Sequence, residues 1–417
     1  MAHAASSEDA IGEFRAASKV PFLTLGWWCG LLTFAGLVFN EAIGPVIIFG
    51  ALGCSLVYCL RSFANLKEAI AIAGWLPWFV PLLALASVVW SSEPDLTLRM
   101  SVELCLTTGL VLVAAQATTP RAFVGTAGLV TGLAVLLSLV VRHRQVDGLT
   151  GVVSLAGIYT NKNTLGACGA QMFLASLFIA LSRGTNSPVR LVSIASCAVG
   201  LVTSVAARSV GQLVASMIGG AIIAGYLFIQ LVPARQQRVY ILCACLVGIV
   251  LVAVIPLLLM FAGDDLLRLV GKDSTLTGRT ELWYWAARFS DEHPIFGTGY
   301  QAFWVPGHSA AEFLWDRFRL TARSGFHFHN LFFEMLVELG WIGACSALIV
   351  MPPMIWVVAK WTWLRSSNAA GYYLGLIISL CVVQFQDVNL FQVFSPWYAL
   401  YLVAFYYGRR AVLQGHA

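Results

Sequence analysis

The side chains best suited to acid–base chemistry are concentrated in one polar, aromatic stretch, residues 278–343. Four of the seven histidines lie in it, and two of these, His327 and His329, precede a pair of carboxylates, Glu334 and Glu338. An imidazole titrates near neutral pH, so a histidine here could remove a proton from a hydroxyl group. The stretch is therefore the first candidate for a catalytic site.

The spacing of these residues suggests how they are arranged. If a helix begins near position 327, then His327, Asn330, Glu334 and Glu338 lie along one of its faces. Glu334 then joins the histidines as a candidate for the proton chemistry. The structural alternative is that both carboxylates pair with nearby arginines and only hold the stretch in place. On helical position alone, His327 is favoured over His329.

Four cations could bind an anionic substrate: Arg99, Lys162, Arg208 and Arg279. The first three lie at predicted helix ends, where the alternative role is to reach lipid phosphates at the membrane surface. A guanidinium binds phosphate oxygens in pairs and stays charged, so a pyrophosphate is a suitable shared ligand. The sequence has no nucleotide-binding motif and no acidic residues spaced as metal ligands, and the ten cysteines are scattered. We expect no metal, no cofactor and no nucleic-acid partner.

The composition is typical of a protein that crosses the membrane many times. Hydrophobic residues make up 59% of the chain and charged residues 11%, whereas soluble domains have about 25% charged residues. The apolar runs are about 20 residues long, which predicts transmembrane helices rather than a membrane barrel. We predict an all-α integral membrane protein with about twelve transmembrane helices. Their expected bounds are 21–39, 42–60, 69–90, 98–118, 122–141, 163–182, 190–206, 212–233, 239–262, 329–357 (with a possible break near Gly340–Gly343 or Pro352–Pro353), 371–389 and 395–408.

The placement of lysine and arginine in the short loops favours a cytoplasmic N-terminus and C-terminus. The long polar segment then lies outside the cytoplasm, on the same side as the cations named above. The expected division is a cytoplasmic lead at 1–20, helices 1–9 at 21–262, a periplasmic loop at 263–328, helices 10–12 at 329–408, and a cytoplasmic tail at 409–417. Part of the loop, Thr280–Ser290, is expected to form a helix whose apolar face lies at the membrane interface.

Five motifs in one order resemble the O-antigen ligase/polymerase family of bacterial surface-polysaccharide assembly, over the whole chain. They are Trp90-Ser91-x-x-Pro94 with Thr97-Leu98-Arg99, Asn161-Lys162-Asn163-x-Leu165-Gly166, Gly278-Arg279-Thr280-x-Leu282-Trp283, His293-Pro294-x-x-Gly297-x-Gly299, and His329-Asn330 followed after nine residues by Gly340-x-x-Gly343. A shorter match is Ala207-Arg208-Ser209. A departure from the family pattern is the second histidine, His327, before the His-Asn pair.

The resemblance implies a GT-C-like, metal-independent glycosyltransferase of the bacterial inner membrane with its active site facing the periplasm. It would take a glycan from undecaprenyl pyrophosphate and pass it to a glycan or lipid hydroxyl, with a flippase and chain-length or export proteins as further partners. By motif, His329 is the base and Arg208 and Arg279 hold the pyrophosphate, helped by Arg99 and Lys162. The expected supporting residues are Asn330, Glu338, Gly340 and Gly343.

Three functions remain open on the sequence. The first is a polymerase that joins lipid-linked repeat units into exopolysaccharide, which the motifs at Trp90–Arg99 and Gly278–Trp283 favour. The second is an O-antigen ligase that uses lipid A-core as acceptor. The third is a transporter of lipid-linked oligosaccharides, which would need charges deep in several helices and an internal repeat. The sequence shows neither charges deep in several helices nor an internal repeat.

Overall fold

The computed structural model describes residues 24–61, 63–146, 151–233, 236–237, 239–240, 278–320, 322–323, 325–364 and 367–415, most of them helical. The helices are α1 Leu25–Ile43, α2 Val46–Arg61, α3 Phe63–Ala73, α4 Phe79–Ala86, α5 Pro94–Ala117, α6 Pro120–Val141, α7 Lys162–Leu181, α8 Ser187–Ala206, α9 Val210–Ile229, α10 Arg279–Ser290, α11 Ser309–Arg317, α12 Leu331–Leu364, α13 Ala369–Val383 and α14 Pro396–Gln414. The predicted span 239–262, apart from residues 239–240, the residues 1–20 and the beginning of the predicted periplasmic loop lie outside what the structure describes.

Several helices begin where the sequence supplies a cap. Side-chain oxygens of Thr119, Asn161, Asn186 and Ser395 accept the free N–H groups of the first turns of α6, α7, α8 and α14. Proline in the first turn of α5, α6, α8 and α14 suits a position where no intrahelical hydrogen bond is lost. The predicted first residues of these spans lie within four residues of the observed helix starts.

Within the described residues, six helices are long and apolar enough to cross a membrane, or up to seven if α2 and α3 form one bent span. This confirms a helical protein with several membrane spans, while the total of about twelve stays a prediction. The core of the bundle is formed by α7 against α6, α8 and α9, by α9 against α13, and by α12 against α13 and α14.

Two elements differ from the sequence-based expectation. The span expected at 69–90 is interrupted, because α3 ends at Ala73, Gly74 follows with a φ of 61°, and the chain restarts through a 3-10 turn at Pro77 before α4. The all-α expectation also missed an antiparallel hairpin of β1 (His143–Val146) and β2 (Val153–Gly157) between α6 and α7.

Helix α12 is broken at Gly340, where φ is 65° and ψ is −163°, a conformation open almost only to glycine. The break frees backbone groups on both sides, and residues 293–299, which we call the clamp loop, satisfy them. The four hydrogen bonds are Thr298 N–H to Val337 O (3.1 Å), Gly299 N–H to Glu338 O (2.8 Å), Trp341 N–H to Pro294 O (2.8 Å) and Ile342 N–H to Ile295 O (3.4 Å). The break expected near Gly340–Gly343 is thus present, and its first glycine faces the clamp loop.

The segment between α10 and α12 has a small core of its own. Leu282 and Ala286 of α10 pack with Trp315 of α11, Phe303 and Phe328. The expectation that this face of α10 lies at the membrane interface is therefore wrong, because aromatic side chains of the same segment cover it. This packing fixes the position of the residues just before α12.

Candidate active site

The loop that precedes α12 and the loop that follows α13 contact each other beside the start of α12. We call residues 326–330 the histidine loop. The Leu331 N–H donates to the Gln384 carbonyl at 2.9 Å, and the Asn330 side chain donates to the Phe385 carbonyl at 3.4 Å. These bonds bring the histidine loop against the loop that follows α13, which carries Asp387.

His327, His329 and Asp387 form one cluster. Nε2 of His327 is 3.2 Å and Nδ1 of His329 is 3.8 Å from the same oxygen, Oδ1 of Asp387. The imidazole centroids are 4.3 Å apart. The carboxylate is buried, whereas the histidine side chains are 20% and 21% exposed, so a substrate could reach the imidazoles.

The hydrogen bonds distinguish the two histidines. Nδ1 of His327 accepts the backbone N–H of His329 at 3.1 Å, so the proton of a neutral His327 must be on Nε2, which faces Asp387. That imidazole has no lone pair left to accept a proton. Nδ1 of His329 is 3.8 Å from the Asp387 carboxylate, beyond hydrogen-bonding distance, and a proton on that nitrogen would face the negative charge and leave Nε2 as the acceptor. The geometry therefore favours His329 as the base.

The electrostatics keep both imidazoles neutral. Burial lowers the pKa of His327 to about 3, and His329 and Arg279 act in the same direction, against Asp387. Burial also lowers the pKa of His329, as do Arg279 and Lys162, while Asp387 raises it. Burial alone would raise the pKa of Asp387, but His329, His327 and Arg279 hold it at about 2. At pH 7 the site therefore has a charged carboxylate beside neutral imidazoles, as a general base requires.

The helix does not begin where the one-face argument placed it. Helix α12 starts at Leu331, and the His329 backbone is left-handed with a φ of 53°. Oδ1 of Asn330 accepts the Phe332 N–H at 2.9 Å and so caps the helix. His327 consequently lies in the loop, off the helix face that carries Glu334.

Glu334 and Glu338 are both buried in the first part of α12. The Glu334 carboxylate accepts the Phe328 N–H at 2.7 Å and the Trp304 indole N–H at 3.0 Å, so it fixes the histidine loop from below. Oε1 of Glu338 has no hydrogen-bond partner among the described residues. Neither glutamate has an ion pair with an arginine in the part of the chain described here, so that alternative gains no support.

Two of the four proposed cations belong to the electrostatic environment of the histidines. Arg279 begins α10, and this helix is tied to the histidine loop by Trp283, whose indole N–H donates to the Phe328 carbonyl at 2.9 Å. Lys162 begins α7, and its backbone N–H donates at 2.8 Å to the side chain of Gln145 in the hairpin. The unexpected hairpin therefore helps to position Lys162.

Arg208 is exposed on the short segment between α8 and α9, which packs beside the start of α7 and the loop that carries Asp387. The neighbouring Ser209 donates to Asn163 at 3.1 Å, and Gly211 lies against the side chain of Gln386 with no room for a Cβ. The backbone at Arg208 is left-handed, with a φ of 50°. The segment is thus packed between the start of α7 and the loop of Asp387.

Arg99 has a different setting. Its side chain is 66% exposed and its Nε is 3.5 Å from Oε1 of Glu103, one turn along α5. None of the hydrogen bonds or ion pairs found among the described residues joins it to the histidine loop. A screened pair of this kind contributes little to stability.

Asp387 was missed as a site residue by the sequence reasoning. The sequence places it in a polar group with Gln384, Gln386 and Asn389 at the end of an apolar helix, a pattern that by itself indicates only a polar cavity open to the outside. A carboxylate at the mouth of an apolar bundle, on the same side as two histidines, was the available signal.

The same cluster has the composition of a possible metal site. One ligand atom from each of His327, His329 and Asp387 lies within 4.8 Å of the others. The charges of Arg279 and Lys162 act on the same groups and would repel a divalent cation. The donor set therefore fits proton transfer better than metal binding, and the absence of a metal stays a prediction.

Comparisons with known proteins agree with the motifs. A family model described as O-antigen ligase matches residues 195–348, which include Arg208, Arg279 and the histidine loop. The chain is also 32% identical, over 320 residues, to the exopolysaccharide production protein ExoQ of Rhizobium meliloti (strain 1021). That similarity covers 75% of this chain and 71% of the relative. The chain belongs to the O-antigen ligase family.

Proposed function

We propose that this protein is a membrane glycosyltransferase that joins lipid-linked oligosaccharide repeat units into an exopolysaccharide. The observation that carries the proposal is the cluster of His327, His329 and Asp387 beside Arg279 and Lys162 at one end of an apolar bundle. The relative named as an exopolysaccharide production protein supports the polymer as product. Undecaprenyl pyrophosphate is the expected carrier.

The reaction needs one proton acceptor and one stabilised leaving group. Nε2 of His329 takes the proton of a sugar hydroxyl on one lipid-linked glycan. The oxygen then attacks the anomeric carbon of the sugar on the other carrier, and the bond from that carbon to the pyrophosphate oxygen breaks. The electron pair leaves with the lipid pyrophosphate, and attack from the opposite face inverts the anomeric configuration.

The remaining residues of the cluster position His329 and stabilise the positive charge that forms on it. Asp387 attracts the imidazolium that forms on His329 and holds His327 in one tautomer, while His327 fixes the backbone of His329. Glu334 serves the same loop through the Phe328 N–H, so we assign it a positioning role.

The cations act on the leaving group. Arg279 and Lys162 stabilise the negative charge that grows on the pyrophosphate, and Arg208 joins them from the neighbouring segment. We assign Arg99 no contact with the reacting groups, because it pairs with Glu103 on its own helix. With cations in these places the reaction requires no metal ion. In this proposal the site faces the periplasm of a bacterial inner membrane, with both termini in the cytoplasm.

The test is elongation by the purified full-length chain in lipid vesicles. Given only lipid-linked repeat units and a chelator of divalent cations, the protein should convert them into longer lipid-linked chains, resolved by gel electrophoresis. The family description keeps the ligase as a second candidate, for which glycan would move only when lipid A-core is added. No lengthening without lipid A-core contradicts the polymerase, and lengthening that the chelator stops contradicts the metal-free mechanism.

A further inference from the structure

A cavity separate from the histidine cluster lies on the other side of the aromatic core that contains Phe303 and Phe328. Its volume is about 230 Å³, and it lies between the entry to α5, the end of α10, the clamp loop and the start of α11. The side chains that define it are Trp90, Ser92, Glu292, His293, Phe303 and His308. Two of the family motifs, at Trp90 and at His293, therefore meet in one cavity, and the reaction described above uses neither.

Hydrogen bonds hold the cavity in shape before any ligand binds. The Trp90 indole N–H donates to the Phe296 carbonyl at 2.8 Å, and the Ser92 N–H donates to the Thr298 carbonyl at 2.8 Å. Because the clamp loop is in turn bonded to the break at Gly340, the wall is anchored to a membrane helix. A preformed wall lowers the ordering cost of binding.

The lining has the chemistry that recognises a sugar. Trp90 and Phe289 are both partly exposed and offer aromatic rings for the apolar face of a pyranose, and Glu292 can accept hydrogen bonds from hydroxyl groups. Burial lowers the pKa of His308, with Glu292 and Glu93 opposing and His293 assisting. A neutral His308 can both donate to and accept from a hydroxyl group.

The charges that line the cavity and its volume restrict the class of ligand that it can bind. Glu292 in the lining and Glu93 close to His308 disfavour phosphate and other anions. Sites for drug-sized molecules have volumes of about 300–1,000 Å³, so this cavity is sized for a single small unit. An uncharged monosaccharide unit satisfies both conditions.

The cavity is one aromatic layer away from the reacting groups. The ring centroid of Phe303, which lines it, is 5.2 Å from that of Phe328, the residue next to His329. Both rings are buried, so a glycan with one end at the histidines would pass around this layer to place a further sugar in the cavity.

We infer that this cavity is a saccharide subsite that holds one uncharged sugar unit of the glycan, next to but separate from the site of transfer. The inference rests on the proposed function, because it takes the substrate to be a glycan. Its role is to set the register of the glycan, so that the acceptor hydroxyl or the anomeric carbon lies at His329.

The experiment measures binding without transfer. The probe is the oligosaccharide repeat unit released from its lipid by mild acid and freed of phosphate, and the protein is the full-length chain in nanodiscs. Binding is followed by ligand-observed saturation-transfer NMR. We expect the wild type and His329→Ala to bind the probe alike, and Glu292→Gln to bind it about five- to tenfold more weakly, as for the loss of one charge-assisted hydrogen bond.

Asp291→Asn is the matched control, because Asp291 is the exposed neighbour of Glu292 and does not line the cavity. It should bind the probe like the wild type, and His293→Gln provides a second, exposed cavity position that should weaken binding. Failure of the wild type to bind, or wild-type affinity in both cavity variants, would overturn the inference. Transfer is measured separately with lipid-linked repeat units, and a wild-type rate in His329→Ala would contradict the proposed mechanism instead, so the two failures are distinguishable.

Discussion

The part of α12 before its break, residues 331–339, has a different structure at each end. At its beginning, the two partly exposed imidazoles of the histidine loop lie within 3.8 Å of the buried carboxylate of Asp387. At its end, the break at Gly340 is closed by four backbone hydrogen bonds from the clamp loop. Both ends contain a left-handed residue, His329 and Gly340, but only the second is a glycine.

This difference indicates that the first end serves catalysis and the second end stabilises the fold. The clamp satisfies backbone groups that a broken membrane helix would otherwise leave unpaired, which is a requirement of the bilayer. The histidine loop instead leaves an imidazole nitrogen of His329 available and keeps its backbone in a conformation that is uncommon for histidine. Changes at the first end should therefore reduce activity in an intact protein, and changes at the second should reduce the amount of folded protein.

The largest effect on chemistry is expected at His329. His329→Ala removes the proposed base, and loss of a general base reduces rates by about 10²- to 10⁴-fold. The measurement is the amount of polymer made by membranes that contain equal amounts of each protein. The thermal stability of the variant should stay close to that of the wild type, because the imidazole is partly exposed.

His327→Ala is the comparison that tests the assignment of the base. It loses the acceptor for the His329 N–H and a partner of Asp387, so activity should fall by less than in His329→Ala. An inactive His327→Ala beside an active His329→Ala would reverse the two roles.

The largest effect on folding is expected at Gly340. In Gly340→Ala a Cβ would overlap the Ile295 carbonyl, and the backbone conformation there is strained for alanine. We expect a loss of about 3 kcal/mol or more, seen as less folded protein in the membrane. Gly225→Ala in α9 is the matched control, because a Cβ there meets nothing within 4 Å. Equal amounts of the two variants would show that the clamp does not require a glycine.

The sequence predicted a helical protein with several membrane spans, which the structure confirms, and it proposed His327, His329 and Arg279, which the structure brings together. Apolar runs and caps indicate where helices lie, and the Gly340-x-x-Gly343 motif indicated a break. The start of α12 was misplaced, because the left-handed backbone at His329 has no signature in the residue type. Asp387 was missed because it is far from His329 in sequence, and only the packing of α12 against α13 brings the two together.

The hairpin and the covered face of α10 were missed for related reasons. Short strands with little burial give a weak pattern, and His143–Val146 is largely exposed. The aromatic face of α10 has the composition of a membrane-interface helix, and only its contacts with Trp315 and Phe303 distinguish the two cases. Local sequence patterns thus identified most helices, whereas contacts between residues that are distant in the sequence could be identified only from the structure.

A smaller effect on the rate than in His329→Ala is expected at Asp387, where the pH dependence is more informative than the rate. Asp387→Asn removes the charge that stabilises an imidazolium on His329, so the rate at pH 7 should fall by about ten- to a hundredfold. The base works in its neutral form, so activity is present above the His329 pKa and is lost as pH falls through it. Burial already lowers that pKa from the ordinary value of about 6.5, and Asp387 opposes the shift.

Removing the carboxylate should therefore move the acidic limb of the rate profile to still lower pH. Initial rates of elongation between pH 4.5 and 8 would measure both quantities, with stability checked at each end of the range. Asp95→Asn, an exposed carboxylate in the first turn of α5, is the control and should leave the limb in place. A limb that stays put or moves upward in Asp387→Asn would mean that Asp387 only supports the loop, and the distinction between the two ends of the helix would then rest on His329 alone.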